Sequence, residues 1–320
     1  MNRPLRFGIL GAGRIVQRRM LPAFAVAQKV ELKAIASRRP GAAREIIPDS
    51  TVSTHDSYES LLADPEIDAV YIPAAGDEHR PWTLAAAAAG KHVLCEKPLA
   101  LNLDEAQELQ TACRKAGVLL MEAFMWRHHP RSQRLHELVF SGQIGDLRLI
   151  NVSFSFDIDR SDWRLDPARG GGAVWDLGCY GVNCARFLTG EEPEDVYSRT
   201  VRWKSGADMT TQVALRFPSN VLANIDCSFE APFRCRVEVV GTGGLIVLNR
   251  AFQNEPGCTI DWQPSASRDT PWETIEIPTA DQYACQLDHF ANSVTAGKLL
   301  PPAEDGVANM RIMQQIVSQW

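Results

Sequence analysis

The chain has 320 residues, 45% of them hydrophobic and 22% charged, with a formal net charge of −6. These are the proportions of a soluble globular protein of about two domains, at roughly 150 residues each. The absence of a basic block argues against nucleic acid or an anionic membrane as partner, and no apolar run approaches the ~20 residues of a membrane-spanning helix.

In chain order, "LRFGIL" (5–10) reads as a short apolar strand running into glycines. Residues 14–28 form an apolar-striped helix that Pro22 should kink. "VELKAIAS" (30–37) is a second strand, followed by a helix near 40–47 and a short helix from Tyr58 to Ala63. "DAVYIP" (68–73) is a third strand, "PWTLAAAAAG" a helix closing at Gly90, and "KHVLCE" a further strand. "NLDEAQELQTACRKAG" begins with Asn102 as N-cap and Glu105 three positions on, a capping-box pattern, and ends at Gly117. "VLLMEAF" closes the series. Strands alternating with helices imply a parallel, doubly wound sheet covered on both faces.

From about residue 145 the runs lengthen and alternate with period two: "GDLRLINVSFSFDI", "DVYSRTVRWKS", "MTTQVALRFP", "NVLANIDCSFEAP" and "RCRVEVVGTGGLIVLN". The last reads as a hairpin around "GTGG". They predict a large, open-faced and mostly antiparallel sheet, with one helix (173–189) spliced in and two more (281–297 and 303–318) closing the chain. The expected fold class is α/β, with domains at 1–123 and 124–320. Eight scattered cysteines with no Cys-x-x-Cys pair read as reduced thiols. The opening residues carry no cleavage-site pattern, so a cytoplasmic protein is expected. The seven histidines include no His-Glu-x-x-His, and His128, His129 and His136 lack an acidic or cysteine partner at ligand spacing, so no metal site is expected.

"GILGAGRIV" sets Gly8, Gly11 and Gly13 between the first strand and first helix, where Arg14 and Ile15 open the helix. A glycine turn there lets backbone approach a pyrophosphate at the helix N-terminus. A plain tight turn would look similar in isolation; the surrounding strand–helix series favours the dinucleotide. The second strand ends in Ala36-Ser37-Arg38-Arg39 with no acid for a ribose 2′-hydroxyl. A hydroxyl and guanidinium groups suit a 2′-phosphate, so NADP is expected over NAD.

Ligands of such sheets sit beyond the carboxyl ends of the strands. There stand Glu96-Lys97-Pro98 and "YIPAAGDEHRP", which leads to His79. An ammonium at that place stabilises a developing alkoxide, and Glu96 can take a ribose hydroxyl. In "GGGAVWDLGCYGVN" (170–183), Asp176 and Tyr180 stand four apart on a helix, on one face. A free tyrosine, with pKa about 10, needs a neighbouring positive charge to serve as general acid or base near neutrality. The same spacing also fits a buried tyrosine bonded to an aspartate.

The glycine turn, Glu96-Lys97-Pro98 and "GGGAVWDLGCY", in that order, resemble the Gfo/Idh/MocA oxidoreductases over essentially the whole chain. "MEAFMWRHHPR" (121–131) and "GCYGVN" are similar to the branch of dihydrodiol dehydrogenases and NADP-dependent xylose dehydrogenases. The resemblance implies a Rossmann domain, a second α/β domain with an open-faced sheet through which relatives pair, and an active site between them. It implies Lys97, Asp176 and Tyr180 as catalytic residues and a cis bond before Pro98. It further implies Ser37 and Arg38 at the 2′-phosphate, and His79, Trp163, Arg164 and Tyr283 near the nicotinamide. Trp126, Arg127, Phe154, Phe156 and Trp163 are candidates to line a pocket for a sugar ring or cyclic diol, though aromatics at alternating strand positions also serve as core. The implied activity is hydride transfer at a C–OH or C=O group of such a substrate, by a homodimer. A reductase of a keto- or anhydro-sugar uses the same residues, whereas a non-catalytic NADP-binding regulator need not keep Lys97, Asp176 and Tyr180 together. Two departures bear on cofactor affinity: Ala75-Gly76-Asp77-Glu78-His79 replaces the family's Pro-Asn-x-x-His, and Val16 replaces a small residue of the fingerprint.

Overall fold

The computed structural model describes residues 3–48, 50–304 and 306–320. The chain divides into two compact units, Met1–His128 with Asp281–Val307, and His129–Ala280 with Ala308–Trp320.

The first unit holds six strands: β1 (Leu5–Leu10), β2 (Val30–Ala36), β3 (Ser53–His55), β4 (Ala69–Ile72), β5 (His92–Cys95) and β6 (Leu120–Glu122). Their order is β3-β2-β1-β4-β5-β6, and every pairing is parallel. Strands covered on both faces need no alternation, which is why all of β4 is buried. The order reverses between β1 and β4, the place where doubly wound sheets open a crevice for ligands. β3 escapes sequence reading because three residues, Ser-Thr-His, carry no apolar pattern and pair only with the edge of β2.

The expected kink takes the form of a wide, π-type turn over Val16–Met20, followed by a short helix Leu21–Val26 that carries Pro22 in its first turn. The helix expected from Pro81 begins earlier, at Gly76, and runs to Ala88. The expected cap is present, with its return bond one residue early: Asn102 accepts from the Glu105 N–H at 2.9 Å, and the Glu105 carboxylate accepts from the N–H of Leu101, the residue before the cap, at 3.1 Å. Residues 281–307, read from the sequence as part of the second half, return to the first unit. Helix Gln282–Ala296 is capped by Asp281, which accepts from the Tyr283 and Ala284 N–H groups. Its Phe290 ring lies 5.8 Å from that of Phe7, and its Asp288 accepts from the backbone of Gln28 and Lys29.

The second unit is built on eight strands: β7 (Leu147–Ser155), β8 (Asp195–Arg202), β9 (Asp208–Arg216), β10 (Leu222–Ser228), β11 (Arg234–Gly241), β12 (Leu245–Asn249), β13 (Thr259–Gln263) and β14 (Glu273–Glu276). They run β14-β13-β12-β11-β7-β10-β9-β8, antiparallel except for the β7–β10 pair. The hairpin expected around "GTGG" joins β11 and β12. β13 and β14 are short, and β14 is mostly exposed, so neither leaves a strong alternating signal. Helix Pro130–Phe140, another element without a sequence-based expectation, buries Leu135, Leu138 and Val139.

One face of this sheet is covered. Gly181 of helix Cys179–Thr189 rests on Ile225 of β10, and the Ser198 hydroxyl of β8 donates to the Ile316 carbonyl of helix Val307–Val317. The expected span of that last helix, 303–318, includes Asp305, which lies outside the described residues. The other face presents Tyr197, Val201 and Leu222, each about half exposed. Among the described residues no helix is long and apolar enough to cross a membrane.

Candidate active site

At the end of β1 the chain turns at Gly11, whose φ of +145° is closed to residues with a side chain. A Cβ there would also stand 3.2 Å from the Pro73 ring, while one at Gly13 would meet nothing within 4 Å. Arg14 and Ile15 open the helix that follows, where the leading N–H groups have no intrahelical acceptor. Val16 is fully buried at the start of the wide turn.

Beside this turn the end of β2 presents Ser37, whose hydroxyl oxygen accepts from the Arg39 N–H at 3.1 Å, and Arg38. The Arg38 guanidinium lies over the Tyr58 ring at 5.3 Å and donates to Glu78 at 3.2 Å. The opposite oxygen of Glu78 accepts from the Trp82 indole at 2.7 Å. Tyr58 and Trp82 pack edge to face, and the Tyr58 hydroxyl comes within 3.7 Å of a Cβ placed on Gly11. An open glycine turn, a serine and a half-exposed guanidinium, with no acid at the carboxyl end of β2, fit an adenine dinucleotide carrying a 2′-phosphate.

The ends of β4 and β5 form the neighbouring part. The Lys97–Pro98 bond is cis. Glu96 accepts from the Tyr71 hydroxyl at 2.6 Å, and its other oxygen lies 3.3 Å from the Lys97 N–H. Burial pushes the Tyr71 and Tyr283 hydroxyls well up, and the Glu96 charge adds to both shifts. His79 is buried, with Nδ1 2.9 Å from the Pro98 carbonyl and Nε2 2.9 Å from the Ala74 carbonyl. Burial lowers its pKa, and the two carbonyls oppose that. A neutral ring carries one N–H, and its donation to the Pro98 carbonyl ties the start of helix Gly76–Ala88 to the loop that carries Lys97. The buried Glu122 carboxylate adds a second tie by accepting from the Leu99 N–H at 2.9 Å. Trp126 is buried in this unit, and Arg127 pairs with Glu304 at 3.4 Å.

In the second unit, Asp176 and Tyr180 stand where the chain enters its long helix. The expected regular spacing is modified: Val174–Gly178 is wound as a wide π-type turn before the α-helix begins at Cys179. Such turns recur at functional sites. Asp176 pairs with Arg164 at 3.1 Å, and that carboxylate is the main reason the Arg164 pKa is raised. Arg164 also faces Asp162 and lies 4.9 Å from the Trp163 ring centre. Tyr180 is buried against Phe154 and Phe252, with ring centres 5.6 and 5.1 Å away. Phe156 packs on Phe229.

Asp208 was not anticipated as a supporting residue. It is 2% exposed and accepts from the Val174 N–H at 2.6 Å, at the head of the wide turn. The residues without a sequence-based expectation are thus Tyr58, Tyr71, Glu78, Trp82, Glu122 and Asp208. Only Glu78, as a departure from the family's loop pattern, left a signal. Among the described residues no group of three or more His, Cys, Asp and Glu side chains could hold a metal ion.

Comparison with known proteins covers nearly all of this architecture. Residues 5–124 match the family model described as an oxidoreductase family with an NAD-binding Rossmann fold, and residues 132–247 match the GFO/IDH/MocA C-terminal domain. The chain is 36% identical to D-xylose 1-dehydrogenase (NADP(+)) 2 of Haloferax volcanii, across 98% of this chain and 95% of that one. It is 32% identical to trans-1,2-dihydrobenzene-1,2-diol dehydrogenase of Bos taurus, across 76% and 74%. Among solved structures, a 3-ketoreductase of Actinomadura kijaniata in complex with NADP and TDP-benzene superposes with a TM-score of 0.89 at 29% identity, covering 99% of this chain and 98% of that one.

Proposed function

The chain belongs to the Gfo/Idh/MocA family of oxidoreductases, and from that premise we propose that it is an NADP-dependent oxidoreductase acting on a C–OH or C=O group of a sugar or cyclic diol. The observation that carries this reading is the presence, in one chain matched from end to end, of Lys97 at the end of β5 with Asp176 and Tyr180 at the head of one helix. Bound NADP would take the hydride from the substrate carbon, or NADPH would supply it. Gly11, Gly13, Arg14 and Ile15 would cradle its pyrophosphate, Ser37 and Arg38 its 2′-phosphate, and Glu96 a ribose hydroxyl. Trp163, Arg164 and Tyr283 would flank the nicotinamide end. His79, held between two carbonyls, serves this site by fixing the loop that carries Lys97.

In the oxidative direction Tyr180 takes the hydroxyl proton, and the Lys97 ammonium stabilises the charge left on oxygen. Asp176, held by Arg164, orients the substrate hydroxyl. Phe154, which packs on Tyr180, and Trp126, Arg127 and Phe156 are the candidates to shape the substrate pocket. In the reverse direction Tyr180 returns a proton to the reduced carbonyl. Similarity to the 3-ketoreductase favours this second direction as an alternative physiological use of the same residues. We also propose that the protein is cytoplasmic, supported by eight cysteines of which none forms a disulfide. Pairing of two copies through the uncovered face of the β7–β14 sheet completes the proposal.

The test is turnover of NADP or NAD with D-xylose, other aldoses and a cyclic trans-diol, followed by NAD(P)H absorbance. We expect turnover with NADP on one substrate class. Tyr180→Phe and Lys97→Met should each lower kcat by roughly 10²-fold or more while cofactor binding persists. Near-normal turnover in either variant would remove that residue from the chemistry.

A further inference from the structure

We propose that Glu78 sets how strongly this chain discriminates NADP from NAD, by holding a fixed negative charge against the guanidinium that would receive the 2′-phosphate. This rests on the assignment of Arg38 to that phosphate. Sites for NAD usually carry an acid at the end of the second strand, where it takes the ribose 2′-hydroxyl. Here β2 ends in Ser37 and Arg38, but a carboxylate arrives from a different element. Glu78 lies in the first turn of helix Gly76–Ala88, and its Oε1 accepts from Arg38 Nη1 at 3.2 Å.

Three features keep the carboxylate in place beside the guanidinium. The Glu78 carboxylate is anchored independently of Arg38, by the Trp82 indole at 2.7 Å. Its side chain is 25% exposed, against 56% for Arg38, so the acid is the more enclosed partner and the guanidinium the more accessible one. The other arginine at the strand end, Arg39, turns away to Glu45 at 2.8 Å and does not offset the charge. A phosphate drawn to Arg38 therefore enters the field of Glu78, whereas a neutral 2′-hydroxyl meets an acceptor.

Glu78 also orients Arg38, and the two effects oppose each other. An exposed ion pair holds its partners weakly, and the Tyr58 ring supports the guanidinium without it. Charge repulsion thus outweighs orientation. Glu78 dampens a preference that Ser37 and Arg38 create, and glutamine, able to keep the Trp82 bond, should sharpen it.

The experiment is equilibrium titration of wild type, Glu78→Gln and Arg38→Ala with NADPH, NADH and 2′-AMP, read by fluorescence or calorimetry. Glu78→Gln should bind NADPH and 2′-AMP about 3–10-fold more tightly, leave NADH within roughly twofold, and lose most of the gain at high salt. A preference for NADPH over NADH that is unchanged or reduced in Glu78→Gln overturns the proposal. Arg38→Ala tests the underlying assignment separately: retention of full NADPH preference there would show that Arg38 is not the phosphate ligand, whatever Glu78→Gln does.

Discussion

The carboxyl of Asp208 accepts from the Val174 N–H and from the Thr211 hydroxyl, yet burial pushes its pKa from the usual 3.8 up to about 6. The folded protein therefore holds this proton more tightly than the unfolded chain. Its contribution to stability is complete below pH ~4 and is lost as pH rises toward 6 and beyond. At about 1.4 kcal/mol per pH unit, the difference amounts to roughly 3 kcal/mol. Asp208→Asn should remove this slope, so urea midpoints of wild type and variant should diverge between pH 4 and 7, with wild type losing ground. Parallel curves would mean that the buried carboxyl does not titrate as argued. Sequence reading put Lys97 forward because charges follow directly on an apolar strand, and Asp176 and Tyr180 because they share a helix face and match the family's motif. It missed Asp208, 34 positions from Val174, and Tyr58 and Tyr71, because their partners Val174, Arg38 and Glu96 are brought close only by the tertiary fold.

At the level of elements, the run Gly170-Gly171-Gly172 has three separate causes. Gly170 closes the preceding turn at φ +78°, and Gly171 faces the Arg164 and Asp166 backbone carbonyls too closely for a Cβ. Gly172, at φ +135°, abuts the Asp208 carboxylate. A side chain at Gly172 meets both strain and a clash that can shift only by moving Asp208. We expect Gly172→Ala to destabilise the protein by about 2–4 kcal/mol and to lower turnover with it, measured by thermal unfolding and kcat together. A variant as stable as wild type would dissolve the link between the glycine run and the turn carrying Asp176. Elements with strong period-two or capping signals, such as β9 or helix Leu103–Ala116, were legible from residues alone. The wide turn at Val174–Gly178 was not, because every residue from Leu177 to Leu188 is buried, so there is no single apolar stripe whose phase an inserted residue would visibly shift.

For the whole molecule, the proposed pairing rests on the uncovered face of the large sheet. There Tyr197 and Val201 on β8 and Leu222 on β10 expose about half of their surface, and the Asn224, Asn151 and Glu238 side chains form a hydrogen-bonded row. Burying a charge opposite this face should weaken association, so Val201→Glu is expected to shift the mass measured by light scattering from dimer toward monomer. An unchanged mass would move the interface elsewhere.

The return of residues 281–307 to the first unit bears on how the chain can be made. Phe290, packed against Phe7, leaves the ribosome some 280 positions after it. At roughly 5–20 residues per second, the nascent first unit waits on the order of tens of seconds for its last helix. A stop codon placed after residue 128 would therefore yield a fragment that keeps Phe24 against Phe7 but lacks Phe290 and the Asp288 carboxylate that receives Gln28 and Lys29, and no single cut in this polypeptide releases the nucleotide-binding half intact.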